Sequence, residues 1–517
     1  MQAIAATAPA VIRSPWPEPE IPDLDFASYV LRHAEQLADH PALVDATDGR
    51  TLTYGQLAVA ARRTAAGLAA RGFGRGDVLA IYSPNVPEFA VTVLGVAMAG
   101  GATTTANPLY TAGELAQQLR DSGASIVVSV GPFMDRAREA ARDAGVETVV
   151  GYGDLAADDE PPAIEIAADD VALLPYSSGT TGLPKGVELT HRAVVANLVQ
   201  AEKVLPLGPQ DTVLAIAPMY HCMGLIVVAS YALCRGATVV TMPRFELEAF
   251  LQVMQVHRMT ASIIAPPVAL ALARHPIVDR FDLSALRWLG CGAAPLDAAT
   301  ERACAARLGC PFGQGYGMSE ATAAIAVVNV REPDTIVPGT VGRLLPGVEA
   351  RVIDPVTGAD LGTDGEGELL IRGPQLMRGY RGRPDATAAT IDADGWLHTG
   401  DAATVSPDGT VRITDRLKEL IKVKGYQVAP AALECLLCAH PSVADAAVVG
   451  VPDELAGEVP KAFVVARDEV VPDELMAWVA ERVAPHKRIR AVEVVDTIPK
   501  LPSGKILRRL LRDGASA

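Results

Sequence analysis

Short apolar runs alternate with amphipathic stretches through the first two-thirds of the chain. Val78–Tyr82 has no charged residue and reads as a buried strand, with residues 86–98 as the helix that follows. Residues 125–130 and 135–144 repeat this order, and so do 238–242, 247–257 and 261–265. Strands spaced by helices predict α/β layers with largely parallel sheets. From 338 to 415 the texture changes. Short β-like runs such as 367–371 lie between Gly, Pro and Asp, which predicts a small β subdomain. Beyond 415 a basic, polar stretch leads into a helix at 429–439, strands at 446–450 and 461–466, and a helix at 473–483. That is a compact α+β unit. The pattern therefore predicts a large N-terminal domain over 1–415 and a small C-terminal domain over 416–517, with the boundary near Lys418.

One uncharged stretch, 212–234, passes a crude membrane scan. Pro218, His221 and Gly224 interrupt it, so it reads as a buried strand, a turn and a core helix, with no membrane span. Residues 1–15 lack a basic, then apolar, leader, and residues 514–517 are not a peroxisomal tripeptide. Half of the 517 residues are hydrophobic and 21% are charged, enough for a large packed core. The net charge of −16 argues against a nucleic-acid partner, so any bound phosphate needs a locally basic site. The seven cysteines have no disulfide or zinc spacing, which fits a reducing cytoplasm. Cys435 and Cys438, one helical turn apart, are expected to pack into the core.

The strongest local signal is Ser177-Ser178-Gly179-Thr180-Thr181-Gly182-Leu183-Pro184-Lys185-Gly186, which follows an apolar strand at 171–174. Glycines let backbone N–H groups converge on an anion, and hydroxyls and a lysine add donors and charge. The register is not that of a Walker A loop. Five further segments follow in order. They are residues 313–320 (GQGYGMSE), 367–380 (GELLIRGPQLMRGY), 396–401 (WLHTGD), 415–430 (DRLKELIKVKGYQVAP) and 502–505 (PSGK).

These six segments resemble the signature motifs of the adenylate-forming superfamily, which includes acyl-CoA synthetases, peptide-synthetase adenylation domains and firefly luciferase. Among its branches the chain looks most like the 4-coumarate:CoA ligases. The resemblance implies an acid–thiol ligase with ATP, Mg²⁺ and coenzyme A as partners. An acid and ATP would give acyl-AMP and pyrophosphate, and coenzyme A would then take the acyl group. It also implies a C-terminal domain that rotates about Lys418 between the two half-reactions.

The resemblance assigns roles residue by residue. Ser177, Ser178, Gly179, Thr180, Thr181, Gly182 and Lys185 would hold phosphates. Ala293, Gln314, Gly315 and Tyr316 would flank the adenine. Ser319 would contact the α-phosphate, and Glu320 would hold Mg²⁺. Asp401 and Arg416 would bind the ribose. Lys505 would bridge the α-phosphate and the acid carboxylate. Lys424 and Gly425 would line the thiol tunnel, Lys422 would be a catalytic contact, and Gln427 would contact the nucleotide. His221 would gate the acyl carboxylate. The acid pocket would be walled by His221, Cys222, Met223, Val227, Ala323, Ala324 and Ile325. These walls are small and apolar, so the acid should have an apolar body: aromatic and cinnamate-like, alicyclic or medium-chain. Other readings of the same motifs are an enzyme that loads a separate carrier protein, a luciferase-like oxygenase, and an inactive nucleotide-binding protein. The oligomeric state is not readable from the sequence.

Overall fold

The computed structural model describes residues 11–161, 163–177, 184–417, 419–423, 426–453, 456–500 and 504–515. Two large sheets form the bulk of the molecule. In the first, of eight strands, Val78–Tyr82 runs parallel to both Ala102–Ala106 and Ala124–Ser129. All five residues of Val78–Tyr82 are buried, because helices such as Tyr54–Ala69 and Pro87–Met98 cover such strands. In the second sheet, of nine strands, Ala261–Ile264 lies parallel between Thr212–Ala215 and Trp288–Cys291. Phe312–Met318 extends that sheet in parallel and then turns back, antiparallel, into Ala323–Val327.

The region after 338 contributes an antiparallel sheet of Glu349–Ile353, Gly367–Arg372, Leu397–Val405 and Val411–Arg416, joined at one edge by Ile12–Arg13. The last sheet is separate. It begins at Ile421–Val423 and is built around the long hairpin of Val443–Asp453 and Gly457–Ala466. Helices Pro430–Cys438 and Pro472–Ala480 share a core with it through Leu433, Leu437, Leu475 and Val479.

Three expectations need correction. The core helix in the uncharged stretch is not a plain α-helix: Met223–Ser230 is a π-helix, and only Tyr231–Cys234 continues as α. Such wide turns are rare and concentrate at functional sites. Cys435 is exposed and Cys438 only half-buried; Leu433 and Leu437 hold the core face of that helix instead. The last long helix stops at Ala480, short of residue 483. All seven cysteines are free. No helix among the described residues is long and apolar enough to cross a membrane.

The C-terminal segment folds back on both parts of the chain. An added Cβ on Gly504, at φ 84°, would stand 2.8 Å from Pro267, so this turn lies directly on the start of helix Pro266–Arg274. Arg508 then inserts between carboxylates. Its guanidinium pairs with Glu419 and, at 2.8 Å, with both oxygens of Glu434, and it donates to the Val448 carbonyl. Asp415 accepts from the backbone N–H of Ala431 at 2.9 Å, in the first turn of helix Pro430–Cys438.

Candidate active site

The ends of several strands converge on one cleft. Phe312–Met318 carries Gln314, Gly315 and Tyr316 to its mouth, and Glu320 follows in a short 3₁₀ turn. Leu397–Val405 and Val411–Arg416 pair so that Asp401 faces Arg416 directly. Tyr316 links the two sheets: its hydroxyl donates to Asp401 Oδ2 at 2.6 Å, and Arg416 Nε lies 3.5 Å from Asp401 Oδ1. Burial raises the Asp401 carboxyl above the ordinary carboxylate range, against the pull of Arg416, the Tyr316 hydroxyl and the Lys505 charge. Burial and the neighbouring Asp401 raise the Tyr316 phenol well above its usual value.

The Gln314 side chain is buried. Its amide is turned inward and fully engaged, exchanging hydrogen bonds with the backbone N–H and C=O of Leu296 at 2.8 and 3.0 Å and donating to Glu301 at 2.9 Å. Ala293 sits close by in the chain at φ 74°, exposed.

Glu320 is buried, at 4% exposure, and its Oε1 accepts the Tyr380 hydroxyl at 2.8 Å. The Lys185 ammonium lies 4.5 Å from the centre of the Tyr380 ring. Lys185 opens the strand Lys185–Thr190, which pairs with Gly379–Tyr380 on one side and with Tyr176–Ser177 on the other. The rest of the phosphate loop, Ser178 to Gly182, lies outside the described residues, as do Lys418, Lys424 and Gly425.

Apolar residues of the core adjoin Glu320. Burial pushes the Cys222 thiol up to about 12, and Ser319 hydrogen-bonds it. Met223 and Val227, four residues apart on the π-helix, are half-buried while the residues between them are buried. Gly292 faces Met223: a Cβ there would stand 3.1 Å from its sulfur. Ala323 and Ala324 are nearly buried, and Ile325 is fully enclosed in the core. Thr322 and Ala323 adopt φ values of 59° and 135°, a backbone that L side chains rarely take. Asn197 holds the strand beyond that turn with two hydrogen bonds to the Ala324 backbone, and Thr322 donates to the Gln375 carbonyl.

His221 and Tyr220 stand with ring centres 4.4 Å apart. Burial, with the Lys505 charge beside it, pushes the His221 imidazole down to about 4. Lys505 thus acts on both His221 and Asp401 from the C-terminal segment. Lys422 and Gln427 are paired across the short hairpin of Ile421–Val423 and Tyr426–Val428, where Lys422 is exposed. Sequence reasoning missed Tyr380 and Glu301. Tyr380 closes the 367–380 motif, which gave a signal without a role, and Glu301 carried no signal beyond its own charge.

Known proteins place this geometry in a family. The AMP-binding enzyme family matches residues 30–381, and the AMP-binding enzyme C-terminal domain matches residues 432–505. The chain is 41% identical to 4-coumarate–CoA ligase 3 of Oryza sativa subsp. japonica, over 99% of this chain and 96% of that protein. It is equally 41% identical to a 4-coumarate–CoA ligase of Pinus taeda, over 98% of each. Its fold superposes on the ATP-bound crystal structure of MatB from Rhodopseudomonas palustris with a TM-score of 0.86, at 30% identity, covering 95% of this chain and 99% of that one. The chain belongs to the AMP-binding enzyme family and, within it, to the acid–thiol ligases of the 4-coumarate–CoA ligase family, AMP-forming acyl-CoA ligases for which ATP and coenzyme A are substrates.

Proposed function

We propose that this ligase activates an acid with an apolar body in the cleft between Met223, Val227 and Ala323, and that Lys505 drives the first half-reaction. An oxygen of the acid carboxylate attacks the α-phosphorus of ATP, and the bond to pyrophosphate breaks. Lys505 offers its charge to the α-phosphate and the acid carboxylate together, as negative charge is redistributed between them. Asp401, with Tyr316 and Arg416, holds the ribose, and Lys185 with the phosphate loop holds the phosphates. Neutral His221 walls the carboxylate end of the acid pocket. In the second half-reaction the sulfur of coenzyme A attacks the acyl carbon, AMP leaves with the bonding pair, and the thiol proton is released. One observation carries this reading: the turn at Gly504, next to Lys505, packs on Pro267 of the large domain, which puts the Lys505 charge within electrostatic reach of His221 and Asp401.

Glu320 suits one Mg²⁺. It is a single buried carboxylate, and no group of three or more metal-binding side chains occurs among the described residues. Magnesium takes one or two carboxylates and fills the rest of its octahedron with water and phosphate oxygens. Bound there, the ion would neutralise phosphate charge as pyrophosphate leaves.

The second half-reaction needs room for the thiol, so the C-terminal domain turns about Lys418, with domains at 1–415 and 416–517. Support comes from the sheets, one ending at Arg416 and the next beginning at Ile421. In this proposal Lys424 and Gly425 line the thiol path, Lys422 is a catalytic contact and Gln427 contacts the nucleotide. The free cysteines suit a cytoplasmic setting. The test is thioester formation from coenzyme A, ATP and a panel of acids. Cinnamate-like, alicyclic or medium-chain acids should give thioester and AMP. Acyl-AMP without thioester would instead point to a carrier-protein acceptor, and no acyl-AMP at all would refute the reading.

A further inference from the structure

The motif at 367–380 ends on a side chain with no role in the scheme above, and its surroundings supply one. Tyr380 reaches Glu320 across 60 residues of sequence, donating to Oε1 at 2.8 Å. The contact is braced on both sides. The Met377 N–H donates to the Glu320 carbonyl at 2.9 Å, and Tyr380 pairs with Val187 in the strand that begins at Lys185. Arg378 pins the same strand through Glu188 at 2.7 Å.

We infer that Tyr380 is the positioning residue that fixes Glu320 as a one-oxygen ligand and thereby tunes the site toward Mg²⁺ and against Ca²⁺. The inference rests on the proposed role of Glu320 as the metal ligand. Oε1 is committed to the phenol, which leaves Oε2 as the oxygen to offer. A one-oxygen carboxylate suits the small octahedral shell of Mg²⁺. Ca²⁺ takes more oxygens at longer range and often both from one carboxylate. Hydrogen bonds that orient a ligating carboxylate matter nearly as much as the ligand itself. The Lys185 ammonium over the Tyr380 ring ties the phosphate strand to the same anchor, so lysine and carboxylate keep a fixed relation.

The test compares the full-length wild type with Tyr380→Phe and Glu320→Gln. Each is loaded with α,β-methylene-ATP, titrated with Mn²⁺ by electron paramagnetic resonance, and then challenged with Ca²⁺ or Mg²⁺ as competitor. Phenylalanine keeps the ring under Lys185 and removes only the hydroxyl, and a thermal melt confirms that each variant is folded. Tyr380→Phe should weaken Mn²⁺ about tenfold or more, the usual cost of losing an outer hydrogen bond to a metal ligand. It should also let Ca²⁺ displace Mn²⁺ at a lower ratio to Mg²⁺ than in the wild type. If Glu320→Gln loses Mn²⁺ while Tyr380→Phe matches the wild type in affinity and competition, the Tyr380 assignment is overturned. If both variants match the wild type, the metal role of Glu320 falls, and the inference with it.

Discussion

His221 is a residue whose protonation near neutral pH is displaced by where it sits. Its value near 4 lies below the ordinary 6.5, so the folded protein holds it neutral while the unfolded chain protonates it near 6.5. The stabilisation is therefore complete above pH 6.5 and is lost as the pH falls toward 4, by up to about 1.4 kcal/mol per pH unit. Unfolding free energies measured from pH 7 to pH 4 should give a shallower slope for His221→Phe than for wild type, by about one proton. Parallel slopes would reject the buried neutral imidazole. Asp401→Asn weakens the Tyr316 and Arg416 contacts and the charge offered to a ribose. The apparent KM for ATP should rise about tenfold, as for a hydrogen bond to a charged group, with little change in the KM for the acid. An ATP dependence matching wild type would remove the ribose role. Asp401 and Arg416 were marked in the sequence because they stand inside the segments 396–401 and 415–430. Tyr380, Glu301 and the inward turn of Gln314 were not, since their partners are brought to them only by strand pairing and helix packing.

At the scale of elements, the buried parallel strands were readable, since burial on both faces leaves a continuous apolar run. The π-helix was not. Residues 212–234 are so uniformly apolar that no period distinguishes one turn geometry from another. The wide turn leaves Met223 and Val227 half-exposed on one side, with Gly292 opposite Met223. Nothing among the residues named on that wall offers a phenol a strong partner, and an unpaired buried hydroxyl costs roughly 1–3 kcal/mol. Cinnamate should therefore match or exceed 4-coumarate in kcat/KM, and Met223→Tyr should move the preference toward the hydroxylated acid. A wild type that favours 4-coumarate over cinnamate by about tenfold, some 1.4 kcal/mol, would sink this account of the pocket. The strained turn at Thr322 and Ala323 was equally hidden, because neither residue type announces a positive φ.

For the whole molecule, the alternation of strands and helices announced layered sheets, but not which strands would be neighbours. The second large sheet draws on residues from Pro41–Asp45 to Arg343–Leu344, an order set by packing between distant segments. The electrostatic reach of Lys505 to His221 and Asp401 is likewise a property of the assembled chain. Lys505→Ala should lower acyl-adenylate formation by about 100-fold or more, as for loss of a group that stabilises developing charge. Thioester formation from supplied acyl-adenylate should be spared, and an equal fall in both half-reactions would reject a separate site for each. Arg508 would give the proposed rotation of the C-terminal domain its mechanics. Its guanidinium clasps Glu419, near the start of the last unit, and Glu434, in that unit's first helix, so the tail is locked to the body that precedes it. Breaking such a buried pair would strand two carboxylates, so the clasp resists opening. Under the proposed rotation the lysine is then carried as the tip of a rigid crank: one turn at a single pivot sets its position, and withdrawal from the cleft needs no separate unfolding of the tail.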